Sequence, residues 1–108
     1  MSYSILSISP FDKQLKRLIK KYPSLREEFI DLVDKLVQDP FQGKSLGNNC
    51  FKLRLSIKSK NKGKSGGARI ITHLAVRDRK LYLLSIFDKA ELQTISDKEI
   101  FDLLEFIE

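Results

Sequence analysis

The chain has 108 residues, 42% of them hydrophobic and 31% charged, and a formal net charge of +6. This composition is typical of one globular domain spanning residues 1–108, and it excludes a disordered tail. No apolar run approaches the roughly 20 residues of a membrane span, and the N-terminus lacks the pattern of a secretory signal. Because Cys50 is the single cysteine and His73 the single histidine, we expect a reduced, cytoplasmic protein without a disulfide, metal or cofactor.

The first part of the chain predicts a strand followed by a helical hairpin. Residues 3–8 are typical of a short strand. Residues 10–22 carry apolar side chains at helical spacing on one face and lysines on the other, which predicts a helix. Ser24 and Glu27 match a capping box that begins a second helix, and this helix ends before Pro40.

The middle of the chain predicts three consecutive antiparallel strands. Residues 41–49 are rich in turn formers and predict a loop. Residues 50–58 alternate strictly between apolar and mostly cationic side chains, which predicts a strand with a cationic outer face. Residues 59–67 form a lysine- and glycine-rich loop between this strand and the next one, at 68–76. The third strand of the meander covers residues 80–87.

A last helix follows a second capping box, formed by Ser96 and Glu99. The predicted order is therefore β-α-α-β-β-β-α. We expect an α+β fold, in which an antiparallel sheet carries an N-terminal helical hairpin and a short C-terminal helix.

The positive charge is concentrated in the middle of the chain. Residues 50–89 carry eleven basic and two acidic side chains, for a net charge of +9, whereas residues 90–108 carry one basic and six acidic side chains. No acidic residue occurs between Asp39 and Asp78. Such a block is typical of a surface that binds a polyanion, because Lys and Arg neutralise phosphates.

Four basic residues are the candidates for catalysis, since pairing of the two central strands would bring their outward-facing cations together: Lys52, Arg54, Arg69 and Lys89. Arginine grips phosphate oxygens with a planar fork and stays charged. A lysine crowded by other cations has a lowered pKa, so it can act as a general base or acid.

Other residues are candidates for RNA contact. The loop supplies four lysines: Lys58, Lys60, Lys62 and Lys64. His73 on a strand could carry a proton, and the ring of Phe87 could stack on a base. The Gly-Lys-Ser of the loop is not a P-loop, because a strand follows it. The basic stretch has no paired carboxylates to hold a catalytic metal. Cys50 has no evident His or acid partner, which favours a buried structural thiol.

Two segments resemble a known family. Gly-Gly-Ala-Arg-Ile-Ile at 66–71 and Tyr-Leu-Leu-Ser-Ile-Phe-Asp-Lys at 82–89 resemble the RelE/ParE toxin superfamily of toxin–antitoxin systems, and its HigB-like branch in particular. The resemblance implies the compact RelE-like fold over nearly the whole chain. It also implies a ribosome-dependent, metal-independent mRNA endoribonuclease that inhibits translation, with a cognate antitoxin, the ribosome and mRNA as partners.

The resemblance also implies roles for single residues. Lys52 would be the general base, Arg54 a phosphate clamp and Arg69 a stabiliser of the transition state, while Lys89 stands where RelE members carry an arginine. The tyrosines that some members use fall near Ile95 and at Phe87. The general acid therefore stays open between Lys89 and His73.

Two other functions remain open at this point. One is a ParE-like toxin that inhibits gyrase, and the other is a small RNA- or ribosome-binding module without catalysis. The cationic cluster favours the nuclease, because a ParE-like protein would not need it. The acidic C-terminal helix predicts a further contact, in which it packs beside the basic face and competes with RNA.

Overall fold

The structure is a computed structural model that describes residues 3–60 and 66–107. Within these residues the chain forms three α-helices and five β-strands, in the order β1 (Ser4–Ser7), α1 (Ser9–Lys21), α2 (Leu25–Gln38), β2 (Lys44–Gly47), β3 (Cys50–Leu55), β4 (Ala68–Ala75), β5 (Lys80–Asp88) and α3 (Asp97–Leu104). A 3-10 turn, Lys58–Lys60, follows β3. The α+β class, the helical hairpin and the short last helix are as predicted.

The five strands form one sheet in the order β1-β5-β4-β3-β2. The pairs β2–β3, β3–β4 and β4–β5 are antiparallel, but β1 pairs with β5 in parallel. The sheet is therefore mixed rather than purely antiparallel as expected. Parallel strands need a long connection between them, and the helices and strands from α1 to β4 supply it between β1 and β5.

Strand β2 lies within residues 41–49, so the prediction of a loop there is wrong. Asn48 and Asn49 have φ angles of 53° and 59° and form the two-residue turn of a hairpin in which Gly47 pairs with Cys50. Sequence reasoning missed this strand because it is short, polar and lacks the alternation of a half-buried strand.

Gly43 brings β2 close to β3. Its φ is +102°, and a Cβ at this position would lie 2.7 Å from the carbonyl oxygen of Lys52. A side chain here would clash with backbone, so the residue before β2 must be glycine for β2 to pair with β3 in this register.

The helical hairpin covers one face of the sheet. Phe11 of α1 and Phe29 of α2 pack together with ring centroids 5.8 Å apart. Leu32 of α2 lines the same cavity as Leu53 of β3, which faces Ile70 across the β3–β4 pair. No described helix is long and apolar enough to cross a lipid bilayer.

The two predicted capping boxes differ in outcome. The second is present, since Glu99 N–H donates to Ser96 Oγ at 3.2 Å and the Glu99 carboxylate accepts from Ser96 N–H. The first is absent: Ser24 Oγ donates instead to Glu28 at 3.0 Å and accepts from the backbone N–H of Ser59 at 2.9 Å. Ser24 joins α2 to the 3-10 turn, a long-range contact that no local motif predicts.

Strand β5 contains a bulge. Ile71 pairs with Ser85 and Thr72 with Leu83, so Leu84 has no opposite residue on β4. Because of this extra residue, the alternation of side chains between the two faces of the sheet shifts by one position at Leu84. The side chains of residues 83–88 are all buried, which explains why the run shows no simple polar and apolar alternation.

Candidate nucleic-acid interface

The register of β3 and β4 brings the predicted cations onto one face. Arg54 lies directly opposite Arg69 and Lys52 opposite Ile71. Residues opposite each other in an antiparallel pair share a face, as do residues two apart along one strand. Lys52, Arg54 and Arg69 therefore lie together on the face of the sheet opposite to the helical hairpin.

A fourth cation, Lys44, belongs to the same face and was missed by sequence reasoning. Lys44 of β2 lies directly opposite Lys52. We call Lys44, Lys52, Arg54 and Arg69 together the cationic face. The two consecutive asparagines at 48–49 were the signal that could have placed Lys44 in a hairpin, because Asn tolerates the positive φ of such turns.

The four side chains of the cationic face differ in exposure. Lys44 and Arg54 are exposed and Lys52 is half-buried, whereas Arg69 is 3% exposed and donates from Nη1 to the carbonyl oxygen of Ala68 at 3.0 Å. Burial, followed by the neighbouring charge of Arg54, lowers the pKa of Arg69. Arg54 is therefore the arginine that a ligand would contact first, with Arg69 behind it.

The exposed charges of this face have no acidic partner in the described part of the chain. No carboxylate among residues 3–60 and 66–107 forms an ion pair with Lys44, Lys52 or Arg54. Like charges directly opposite each other destabilise a sheet unless an anion lies between or above them. The arrangement is suited to binding an anionic ligand.

A groove of about 440 Å³ opens beside these cations, lined by Gln42, Gly43, Lys44, Lys52, Leu53 and Arg54. Gln42 is held in place because its Nε2 donates to the carbonyl oxygens of Lys35 and Asp39, at 3.0 and 3.1 Å, at the end of α2. The groove thus has one wall anchored to a helix and another wall made of cations, a combination suited to a phosphate and its sugar.

Lys89 continues the same surface beyond β5. Its backbone N–H donates to the carbonyl oxygen of Gly67 at 3.1 Å, which extends the β4–β5 pairing by one residue. Because Phe87 lies opposite Arg69, Lys89, two residues further, falls on the face of Arg69. Phe87 itself is 6% exposed, so its ring is covered and the expected stacking on a base is not possible in this structure.

The two described loop lysines, Lys58 and Lys60, have different surroundings. Lys58 is exposed, whereas Lys60 forms an ion pair with Asp88 and its side chain is only 6% exposed. The structure therefore gives Lys60 a buried role in place of the expected RNA contact. Lys62 and Lys64 lie outside the described residues.

Asp88 is the centre of a buried polar cluster that sequence reasoning did not identify. Its side chain is fully buried and accepts hydrogen bonds from Lys60, from Tyr22 Oη at 2.7 Å and from the backbone N–H of Ala90 at 2.9 Å. Burial raises the pKa of the Asp88 carboxyl, but the hydrogen bonds from Lys60, Tyr22 and Ala90 outweigh burial, so the net pKa is lowered. Asp88 is therefore ionised at neutral pH.

Cys50 and His73 lie together at the other end of the strands, so the expectation that Cys50 has no His partner is wrong. Cys50 Sγ is 3.5 Å from His73 Nδ1. Burial raises the pKa of the Cys50 thiol; burial also lowers the pKa of His73, against a smaller opposite effect of a backbone hydrogen bond at Asn48. Both groups are neutral at pH 7. Among the described residues, no group of three or more His, Cys, Asp or Glu is placed to hold a metal ion.

Helix α3 packs on the sheet face that carries the cations, but over its apolar part. Ile100 lines a cavity with Cys50, and Leu103 lines another with Phe87. The expected position of the acidic helix is therefore observed. In the described part of the chain, the carboxylates of α3 form no ion pair with the cationic face, and their one ion pair is Lys98–Asp102 within the helix.

Comparisons with known proteins bear on this arrangement. No protein-family model matches the sequence. Among solved structures, the chain is similar to a free-state structure of a double-arginine mutant of the E. coli toxin RelE, with a TM-score of 0.66 and 14% identity over 100% of both chains. It is also similar to the crystal structure of the isolated E. coli RelE toxin, with a TM-score of 0.63 and 15% identity over 97% of this chain and 99% of that chain.

At these identities the similarity shows the fold. The chain has the RelE fold, as the resemblance of its two short segments implied.

Proposed function

We propose that the chain is the toxin of a toxin–antitoxin system, close to the HigB-like branch, and that it inhibits translation by cleaving mRNA on the ribosome without a metal ion. The observation that carries this proposal is the cationic face. Four basic side chains lie in register on one face of a RelE-like sheet. A polyanion is the ligand that such a surface recognises best.

The chemistry proposed is an internal phosphoryl transfer. The RNA 2′-hydroxyl loses its proton to Lys52 and attacks the adjacent phosphorus, and the bond from phosphorus to the 5′-oxygen breaks. The leaving 5′-oxygen takes a proton from a general acid, so the products are a 2′,3′-cyclic phosphate and a 5′-hydroxyl. Arg54 contacts the non-bridging oxygens, and the buried charge of Arg69 stabilises the extra negative charge of the transition state.

The structure favours Lys89 over His73 as the general acid. The pKa of His73 is lowered mainly by burial, so its imidazole is neutral and a weak proton donor at neutral pH, and its Nδ1 faces Cys50. Lys89 follows β5 on the side of Arg69. A protonated lysine beside the scissile phosphate can supply the proton that the leaving oxygen needs.

The test is primer extension on an mRNA translated in a purified system. We expect the wild type to produce cleavage stops only when ribosomes are present, and Lys52→Ala and Arg54→Ala to lose them. Lys13→Ala is the matched control, because Lys13 is an exposed lysine on α1 and should cleave like the wild type. Equal cleavage by all four proteins would show that the cationic face is not the active site, and no cleavage by the wild type would refute the nuclease.

A non-catalytic RNA- or ribosome-binding module is the second candidate. The apolar side chains at Phe87 and Ile95 favour it, because a nuclease of this kind needs side chains that move protons. Retained ribosome binding without cleavage would support the module. The gyrase alternative predicts loss of supercoiling activity in a purified gyrase assay, and it predicts no effect on mRNA.

A further inference from the structure

The cationic face contains two rows of charge. Lys44 lies opposite Lys52 in one row, and Arg54 lies opposite Arg69 in the other. Lys52 and Arg54 are two residues apart on β3, so the rows are separated by about 6.8 Å along the strand. This separation is similar to that of successive phosphates along a single RNA strand.

The row of Lys44 and Lys52 has no evident structural purpose. Strand β2 is mostly exposed, so packing does not require a lysine at its start. The lack of a side chain at Gly43 permits this register, because a Cβ there would lie 2.7 Å from the carbonyl oxygen of Lys52, although two cations opposite each other disfavour it. An anion bound at Lys44 would offset this accumulation of positive charge.

We propose that Lys44 forms a second phosphate subsite beside the general base Lys52, and that it holds the RNA phosphate next to the one contacted by Arg54. The inference rests on the proposed function, because it takes RNA as the polyanion. The groove lined by Gln42, Gly43 and Lys44 accommodates the nucleotide between the two phosphates. Lys44 acts in binding, and it takes no part in the chemical step.

Binding of a 2′-O-methyl RNA oligonucleotide separates this subsite from catalysis, because such RNA has no free 2′-hydroxyl to attack. For single strands, the slope of log affinity against log salt concentration changes by about 0.7 for each phosphate contact. We expect Lys44→Ala to weaken binding and to reduce the slope by about 0.7, and Lys44→Arg to keep the slope. Lys13→Ala should match the wild type. A slope for Lys44→Ala equal to that of the wild type would overturn the subsite.

A neutral backbone linkage makes the test specific for one phosphate. A series of oligonucleotides carries a single methylphosphonate at successive positions. At one position, we expect the substitution to weaken binding to the wild type but not to weaken binding to Lys44→Ala any further, since both changes remove the same contact. Additive losses at every position would overturn the subsite.

Turnover on translated mRNA distinguishes this inference from the proposed function. Loss of a contact made equally in ground state and transition state raises KM and leaves kcat unchanged, which is the expectation for Lys44→Ala. A fall in kcat without a change in KM would overturn the assignment of Lys44 to binding. If the wild type binds RNA with a Lys44-dependent slope but cleaves no mRNA, the nuclease fails and the subsite stands; if it has no salt-dependent affinity for RNA, both fail.

Discussion

Replacement of the buried Asp88 by asparagine is expected to destabilise the fold strongly. Asp88 is fully buried, and its ion-pair partner Lys60 has a side chain only 6% exposed. The substitution Asp88→Asn keeps the size of the side chain but removes its charge, so the Lys60 ammonium stays buried without a counterion. Removal of one partner from a buried ion pair typically costs about 3–5 kcal/mol.

This cost is large for a chain of this length, because the free energy of unfolding of a small domain is about 5–15 kcal/mol. The assay is urea unfolding at pH 7, followed by circular dichroism. We expect the midpoint to fall markedly at an unchanged slope. Glu91→Gln is the matched control, since it neutralises a carboxylate whose 2.8 Å ion pair with Arg17 is exposed to solvent, where such pairs contribute little.

A second substitution tests the cause of the loss. In the double variant Asp88→Asn/Lys60→Met no charge is left buried, so we expect it to recover part of the stability lost by Asp88→Asn alone. If Asp88→Asn cost no more than Glu91→Gln, the reasoning would be refuted. If the double variant showed the plain sum of the two single losses, Lys60 would not be the group that makes Asp88 important.

Two further predictions concern pH and the backbone. Because the pKa of Asp88 is lowered in the folded state, its stabilising effect is complete above the unfolded pKa of about 3.9 and is lost as the pH falls through the folded pKa. Urea unfolding from pH 7 to pH 2 should therefore show that the difference in free energy of unfolding between wild type and Asp88→Asn closes only at the acid end. A difference independent of pH would contradict this. Gly67→Ala is expected to cost about 1–3 kcal/mol or more, since its Cβ would lie 2.1 Å from the carbonyl oxygen of Leu55 and the backbone must move. Gly47→Ala is the comparison, because it adds a Cβ to open space and meets only the strain of a φ of +88°. Thermal unfolding measures both variants, and an equal fall in their melting temperatures would contradict the steric argument.

Much of the local structure follows from the order of residues along the chain. Helix α1 follows from apolar side chains at helical spacing, and the start of α3 follows from Ser96 and Glu99, which bond to each other's backbone. The common face of Lys52 and Arg54 follows from the two-residue period of a strand. These features depend on contacts between residues two to four positions apart, so short-range rules are sufficient for them.

The composition of the site depended on contacts between distant segments. Lys60 was expected at an RNA surface, but it lies buried on Asp88, 28 residues away along the chain. Phe87 was expected to be accessible, but α3 packs over its part of the sheet. Composition and spacing cannot tell a solvated lysine from one with a buried partner, because the difference is made by which segments pack together.

Lys44 shows most clearly the difference between what local sequence determines and what contacts between distant segments determine. Its charge was visible in the sequence, but its place in a loop or on a sheet depended on whether a four-residue polar segment pairs with β3. That pairing has little local propensity, and it depends on the Asn48–Asn49 turn and on a glycine at position 43, where a Cβ would collide with the backbone of Lys52. The residue order accounts for the helices, the central strands and the sign of the charge, whereas packing across the sheet selects which cations share a surface, because that choice depends on contacts between segments that no local pattern specifies.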